Sequence, residues 1–284
     1  MFISTKAPQS ELMQDLLPIL VQASEILREE YQQYLSGGAF DVEHKSDNSP
    51  VTQADFRVNQ YITQALDKVS DLPLLSEEGE NNLRQQWQKF WMLDPLDGTK
   101  EFLHKRPEFT INLSLIDGSN TSFAVIAIPC ENVLYVALEQ GVPFKYNIST
   151  GEWFIYSNMN NNEHPLFVGL SQSSQNKPKY AEYLDVLQSI TDVSVYKAGS
   201  AYKFCMILED KVDLYPRFHP TSEWDTSAGQ CLLERINGGL VDFQGRPFLY
   251  NQRDTLLNNG FIAFKNVEIK QIAFNALELM ANKP

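Results

Sequence analysis

The sequence is poor in the features that mark the commoner function classes. It has three cysteines in 284 residues, Cys130, Cys205 and Cys231. Their spacing forms no CxxC pair and no zinc signature, which excludes a disulfide framework and a zinc module. An odd count without a pattern fits reduced thiols, and the apolar neighbours of Cys205 and Cys231 suit core filler. The four histidines, His44, His104, His164 and His219, lie in polar or loop contexts. None stands in a pattern with a Ser or Cys partner, so no nucleophilic triad is indicated. Positive charge is scarce. Against 36 Asp and Glu stand 23 Lys and Arg, a formal net charge of −13. Such a chain repels polyanions and is a poor partner for a nucleic-acid polymer. A small anionic substrate is still allowed, because bound divalent cations would reverse the local field. Long apolar runs are missing too. The stretch Leu16 to Val21 is interrupted by Pro18, and a membrane span needs ~20 apolar residues. The opening MFISTKAPQSELMQ lacks the basic region and apolar run of a secretory leader. The expected location is the cytoplasm. Loose attachment to the inner face of the membrane stays open, although no amphipathic basic helix would cause it. No protein partner is evident.

What is present is globular. Hydrophobic residues make up 43% and aromatics 12%, enough for a real core in one or two domains. Leu12, Leu16, Ile19, Leu20, Ala23 and Leu27 share one helical face, predicting a helix over 11–34 with Pro18 in a first turn or at a kink. Thr52 and Asp55 form a capping-box variant ahead of a second helix over about 52–70. Residues 72–76 and 89–93 are short apolar runs, the second halted by Asp94-Pro95. From 109 to 157 the pattern is an antiparallel meander with a further hairpin. The polar, Asn-rich segment 157–165 reads as a boundary loop. Strands and helices alternate beyond it, as in a layered α/β unit, and a helix over 225–236 is stopped by Gly238-Gly239. The expected division is therefore an N-terminal α+β unit over 1–160 and a C-terminal α/β unit over 161–284.

The local chemistry lies in carboxylates. Asp94-Pro95-Leu96-Asp97-Gly98-Thr99 follows an apolar run, and in a loop both carboxylates and the Leu96 carbonyl can face one point. Oxygen donors of this kind suit a hard cation such as magnesium. The first amides of a helix opening at Thr99 would suit a phosphate. A plain Asp-Pro turn with a helix cap is the competing reading. Glu77-Glu78 ends a strand, so one of the two side chains should face the site; an acidic surface turn is the alternative. Asp225 begins a helix and Asp55 sits in a cap, and for each the ordinary job is capping. Gathering such groups without cations is costly because like charges repel. Two metal ions ~4 Å apart would resolve that and favour in-line phosphoryl displacement.

Together, LSEEG at 75–79, DPLDGT at 94–99 and EWDTSAG at 223–229 resemble the magnesium-dependent, lithium-sensitive inositol monophosphatase superfamily. KSDNSPVTQAD, LDPLDGTKEF, GSAYKFC and LYPRFHPTSEWDTSAG are similar to its bacterial 3'(2'),5'-bisphosphate nucleotidases, the CysQ type. The resemblance covers about residues 11–262. It implies an α+β fold, a layered α-β-α-β-α sandwich of the inositol monophosphatase and fructose-1,6-bisphosphatase type. It also implies two or three Mg2+ ions. Glu77, Asp94 and the Leu96 carbonyl would hold the first, and Asp94, Asp97 and Asp225 the second. Thr99 and Asp55 would orient and deprotonate the attacking water, with Glu78 assisting through a third, weaker ion. Gly98 and Thr99 amides would hold the scissile phosphate. Gly199, Ser200, Lys203 and Arg217 would meet the nucleotide and its remaining 5'-phosphate, unless Arg217 pairs with Glu223 or another local acid instead. Lys45 would lie in a mobile flap. The implied reaction takes adenosine 3',5'-bisphosphate, and as a second substrate its sulfated analogue PAPS, to AMP or APS and phosphate. An inositol or sugar monophosphatase, or a silent nucleotide-binding regulator, are the alternatives. Ser227 departs from the Ala found in many relatives after Trp-Asp-Thr.

Overall fold

A computed structural model describes residues 1–38, 41–44, 50–157, 165–172, 174 and 177–282. The expected flap residue Lys45, and most of the expected boundary loop with His164, lie outside them. The described helices are α1 (Glu11–Leu35), α2 (Gln53–Leu66), α3 (Thr99–Leu103), α4 (Pro178–Ile190), α5 (Tyr202–Leu208), α6 (Ser227–Glu234) and α7 (Val267–Ala281).

Among the described residues they form five layers with two large sheets, and two small two-stranded sheets stand beside these. The larger sheet has eight strands in the order Phe2–Thr5, Trp153–Tyr156, Phe144–Asn147, Val133–Ala137, Asn120–Ile128, Thr110–Asp117, Lys89–Asp97 and Leu74–Ser76. All neighbours are antiparallel except the last pair, which is parallel. The smaller has five, Val193–Lys197, Leu166–Leu170, Leu214–Arg217, Phe261–Phe264 and Gly239–Val241. Alternation along the strands sorts the core into three parts. Trp91, Leu93, Leu113 and Val125 pack with α1 and α2 on one face of the large sheet. Phe90, Met92, Ala124 and Ile126 pack on its other face with Phe204 of α5, Leu232 of α6, and Tyr215 and Phe261 of the small sheet. Val168, Leu214 and Ile262 meet α4 and α7 outside. The result is the α-β-α-β-α sandwich.

Local chemistry explains the helix starts. Ser10 Oγ accepts from the Met13 amide to cap α1. Thr52 and Asp55 form a complete capping box on α2. Three expectations need correction. Pro18 lies in the interior of α1, on its exposed side, rather than in a first turn. Asn237, with φ of 64°, takes the left-handed position after α6, ahead of Gly238. Gly238 then donates to the Leu233 carbonyl, and a side chain on it would meet the Phe264 carbonyl at 2.5 Å. Third, the strand expected to stop at Asp94-Pro95 continues to Asp97. The strand Phe2–Thr5 and helix α7 were not anticipated.

Ser227 Oγ and Ser114 Oγ are 2.6 Å apart and buried, so the hydroxyl that departs from the Ala pattern ties α6 to the large sheet. Two residues on, Gly229 faces Phe204 so closely that a Cβ would lie 2.2 Å from its ring. Gly229→Ala is expected to destabilise the protein by about 1–3 kcal/mol through overpacking. Urea unfolding would read this, and an unchanged midpoint would contradict the packing described.

Candidate active site

The irregular strand Lys89–Asp97 builds the centre of the site. Its partners shift from Asp94 opposite Asn112 to Asp97 opposite Thr110, so three steps on one strand match two on the other. The extra residue is a β-bulge. Three residues of regular strand would send Asp94 and Asp97 to opposite faces. Here each sits opposite a member of an i, i+2 pair, and both carboxylates share a face. Pro95, which has no N–H to offer the ladder, falls within the bulge. The Leu96 amide donates to Asp94 Oδ1 at 3.0 Å. Gly98 follows with φ of 96°. A side chain there would press on Ser200 Cβ at 3.1 Å and the Glu108 carbonyl at 3.3 Å.

Asp225 completes the cluster. Carboxylate oxygens of Asp94, Asp97 and Asp225 lie within 4.8 Å of one another. Asp225 does not cap a helix. Thr226 is the N-cap of α6, its hydroxyl donating back to the Glu223 carbonyl rather than capping the helix, while Asp225 Oδ2 accepts from the Ser222 amide at 3.0 Å and from Thr221 Oγ1. Asp97 Oδ2 accepts from the Ala201 amide at 2.5 Å and from Asn112 Nδ2 at 3.3 Å. These bonds join the bulged strand to the start of α5.

Asp55 combines both of its expected settings. Its Oδ2 closes the capping box with Thr52, and its Oδ1 accepts from Thr99 Oγ1 at 3.3 Å. Thr99 Oγ1 also lies 3.2 Å from the Leu96 carbonyl.

A cleft of about 260 Å³ opens on this cluster. Glu77, Asp94, Leu96, Asp97, Gly98, Thr99 and Asp225 line it together with Ser200, Lys203 and Arg217. Glu78, Asp55 and Gly199 do not line it. The Glu78 amide donates to Ser76 Oγ at 3.3 Å, Asp55 is buried behind Thr99, and the Gly199 amide donates to Glu108 Oε2 at 2.9 Å. A side chain on Gly199 would overlap Glu101 at 2.2 Å. Arg217 does not pair with Glu223. Glu223 is fully buried, 3.1 Å from Arg253, and accepts from the Asn251 amide, leaving Arg217 to donate to the Pro220 carbonyl at 3.3 Å. Sequence reasoning missed Lys100, Glu101, Pro50 and Ser171 as lining residues. Lys100 and Glu101 stand in the LDPLDGTKEF string and Pro50 in KSDNSPVTQAD, while Ser171 is the first polar residue after the buried strand Leu166–Leu170. A larger depression of about 650 Å³ lies behind Phe218 and Pro220 and contains none of the carboxylates.

Electrostatics shows what the cluster requires. Burial, then the charges of Glu77, Asp97, Asp225 and Asp55, push the Asp94 carboxyl well above the usual range. Burial and Asp225 push Asp97 up to about 7, against the pull of Lys203. Burial lowers Lys203 to about 8, although Asp97 opposes the shift. Its Nζ donates to the carbonyls of Ala198 and Ser200 at 3.0 and 2.8 Å. Three crowded carboxylates, strained by mutual repulsion and backed by a backbone carbonyl, are the donor set of a hard divalent cation. The residues present therefore fit a metal centre.

A model of the inositol monophosphatase family matches residues 11–275. The 3'(2'),5'-bisphosphate nucleotidase CysQ of Escherichia coli strain K12 is 38% identical over 78% of this chain and 87% of its own length. The protein of that name from Haemophilus influenzae is 31% identical over 88% and 91%. Among solved structures, CysQ from Bacteroides thetaiotaomicron superposes with a TM-score of 0.75 at 28% identity, covering 91% of this chain and 98% of that one. The suppressor protein suhB of Bartonella henselae shares the fold, with a TM-score of 0.76 at 21% identity over 95% and 99%.

Proposed function

The chain belongs to the inositol monophosphatase family, and from that premise we propose that it converts adenosine 3',5'-bisphosphate to AMP and phosphate. The observation that carries this reading is the meeting, in one cleft, of the Asp94–Asp97–Asp225 cluster with Lys203 and Arg217. The carboxylates suit a cation and a scissile phosphate, and Lys203 and Arg217 offer positive charge to a second phosphate. The curated relatives at 31–38% identity are named for that activity.

We assign the metal positions to Glu77, Asp94, Asp97, Asp225 and the Leu96 carbonyl, with Mg2+ as the ion. Bound divalent cations would supply charge neutralisation at the phosphate and acidify an attacking water. The chain's own residues do the rest. The Thr99 hydroxyl donates to Asp55 Oδ1, so its oxygen can accept a hydrogen bond from water entering the cleft, and a proton lost by that water passes through Thr99 to Asp55. The Gly98 and Thr99 amides, at the opening of α3, face the phosphate position. Lys203, held by two carbonyls and by the Tyr215 ring 4.7 Å away, keeps its charge fixed toward the cleft. Ser200 and Arg217 orient the nucleotide. No covalent intermediate is needed, since phosphoryl transfer demands mainly positioning and charge.

The C-terminal part from 161 onward supplies Lys203 and Arg217, and we propose it as the specificity unit beside a part over 1–160 that supplies every assigned metal position except Asp225. Phosphate release tests the assignment. Adenosine 3',5'-bisphosphate should be hydrolysed with magnesium, far faster than inositol 1-phosphate, and not after chelation. A preference for inositol 1-phosphate would move the assignment to a polyol phosphatase, and no release from either would indicate a silent binder. Lithium should inhibit where sodium does not.

A further inference from the structure

One wall of the cleft carries a hydrogen-bonded relay that the phosphatase chemistry above does not use. His219 lines the cleft. Its Nδ1 lies 2.8 Å from Tyr180 Oη, and the same oxygen accepts from the Phe218 amide at 2.9 Å. Tyr180, in the first turn of α4, is 2% exposed. Its ring meets Phe218 edge-on at 4.9 Å. Ser174, also buried, acts on the tyrosine hydroxyl and is hydrogen-bonded to Ser171, which lines the cleft as well. The bonds at Tyr180 thus tie the turn after strand Leu214–Arg217 to the first turn of α4 at the cleft wall, with Ser171 and Ser174 beside them.

Two placements of protons satisfy this relay. In one, Tyr180 donates to Nδ1 and His219 carries its proton on Nε2. In the other, Nδ1–H donates to Tyr180 and Nε2 presents a lone pair. The charges around the ring separate them. Arg217, Lys177, Lys203 and Lys100 all act on the imidazole, a concentration of cations in a chain of net charge −13. Those cations draw an anionic group to this wall. A lone pair there would oppose the ligand, whereas an N–H would bind it. Burial and the same cations hold the ring neutral, with its pKa lowered to about 3, so a donor here must be a fixed tautomer.

We propose that His219, locked by Tyr180, donates from Nε2–H to the substrate phosphate that is not hydrolysed, and so discriminates bisphosphates from monophosphates. Tyr180 is then a positioning residue. The inference rests on the bisphosphate nucleotidase reading, and the comparison substrate keeps the two apart.

The test measures kcat/KM for adenosine 3',5'-bisphosphate and for 3'-AMP, which lacks only the 5'-phosphate. Loss of a hydrogen bond to a charged group predicts that His219→Ala lowers the ratio of the two constants by about ten- to a hundredfold, mostly through KM for the bisphosphate. His219→Gln, which keeps a side-chain N–H, should recover part of it, and Tyr180→Phe should reduce it in the same sense. Nitrogen-15 spectra of labelled His219 should show Nε2 protonated and Nδ1 bare at neutral pH. An unchanged ratio in correctly folded His219→Ala, or a proton on Nδ1, would overturn the inference. If the wild type itself fails to prefer the bisphosphate, the functional reading fails instead.

Discussion

Asp94→Asn is expected to reduce magnesium-supported phosphate release by about 10³-fold or more, the scale on which loss of a charge-stabilising group acts in such reactions. The same substitution should leave the metal-free protein at least as stable as the wild type. Asp94 is 1% exposed and surrounded by Glu77, Asp97, Asp225 and Asp55. Its pKa in the folded chain is raised, so in the absence of cations the ionised form opposes folding. That cost is absent below the unfolded carboxylate pKa of about 4 and grows as pH rises above it. An amide of the same shape removes it. In a chelator at neutral pH, Asp94→Asn should therefore melt at or above the wild-type temperature. Magnesium should raise the melting temperature of the wild type and do less for the variant. Turnover within threefold of wild type would contradict the assignment, and so would a large fall in metal-free stability.

The second large effect is expected at Lys203. Its side chain is 1% exposed, a rare state for a lysine, and is held by two carbonyls on the floor of the cleft beside Asp97. Lys203→Met keeps the length and apolar stem but removes the charge. It should lower kcat/KM for adenosine 3',5'-bisphosphate by about 10- to 150-fold, as expected for loss of a charged hydrogen-bond donor. The variant also leaves Asp97 without its main cation, which should shift Asp97 further upward and make tight metal loading require a higher pH. Steady-state kinetics over a magnesium series would separate the two effects. Unchanged kinetics at saturating metal would remove Lys203 from the substrate side.

Much of this was legible because the informative signals are local. Thr52 and Asp55 are neighbours in one capping box, and the apolar stripes of α1 and α2 have helical spacing, so those elements follow from short-range chemistry. The DPLDGT string pointed to a cation for the same reason. Its geometry was not legible. Spacing alone suggests a loop, whereas the bulge that aligns Asp94 with Asp97 depends on Thr110 and Asn112 in the next strand. Asp225 looked like a cap because the residues following it are helical, but its partners are Thr221 and Ser222 behind it. The alternative partner of Arg217, Glu223, is taken instead by Arg253, thirty positions from it in the chain. The relay to His219 spans 39 positions to Tyr180, and no periodicity announces a bond of that range. Helix α7 and the strand Phe2–Thr5 take their places through packing and edge pairing with distant segments.

The account stands on divalent ions being held between the bulged strand and the turn before α6. Crystals grown with manganese in place of magnesium would test this directly by anomalous diffraction. The expected result is a strong peak bridging the carboxylates of Asp94, Asp97 and Asp225 at the mouth of the cleft, absent in Asp94→Asn crystals. A manganese peak elsewhere with none among these three side chains would contradict it.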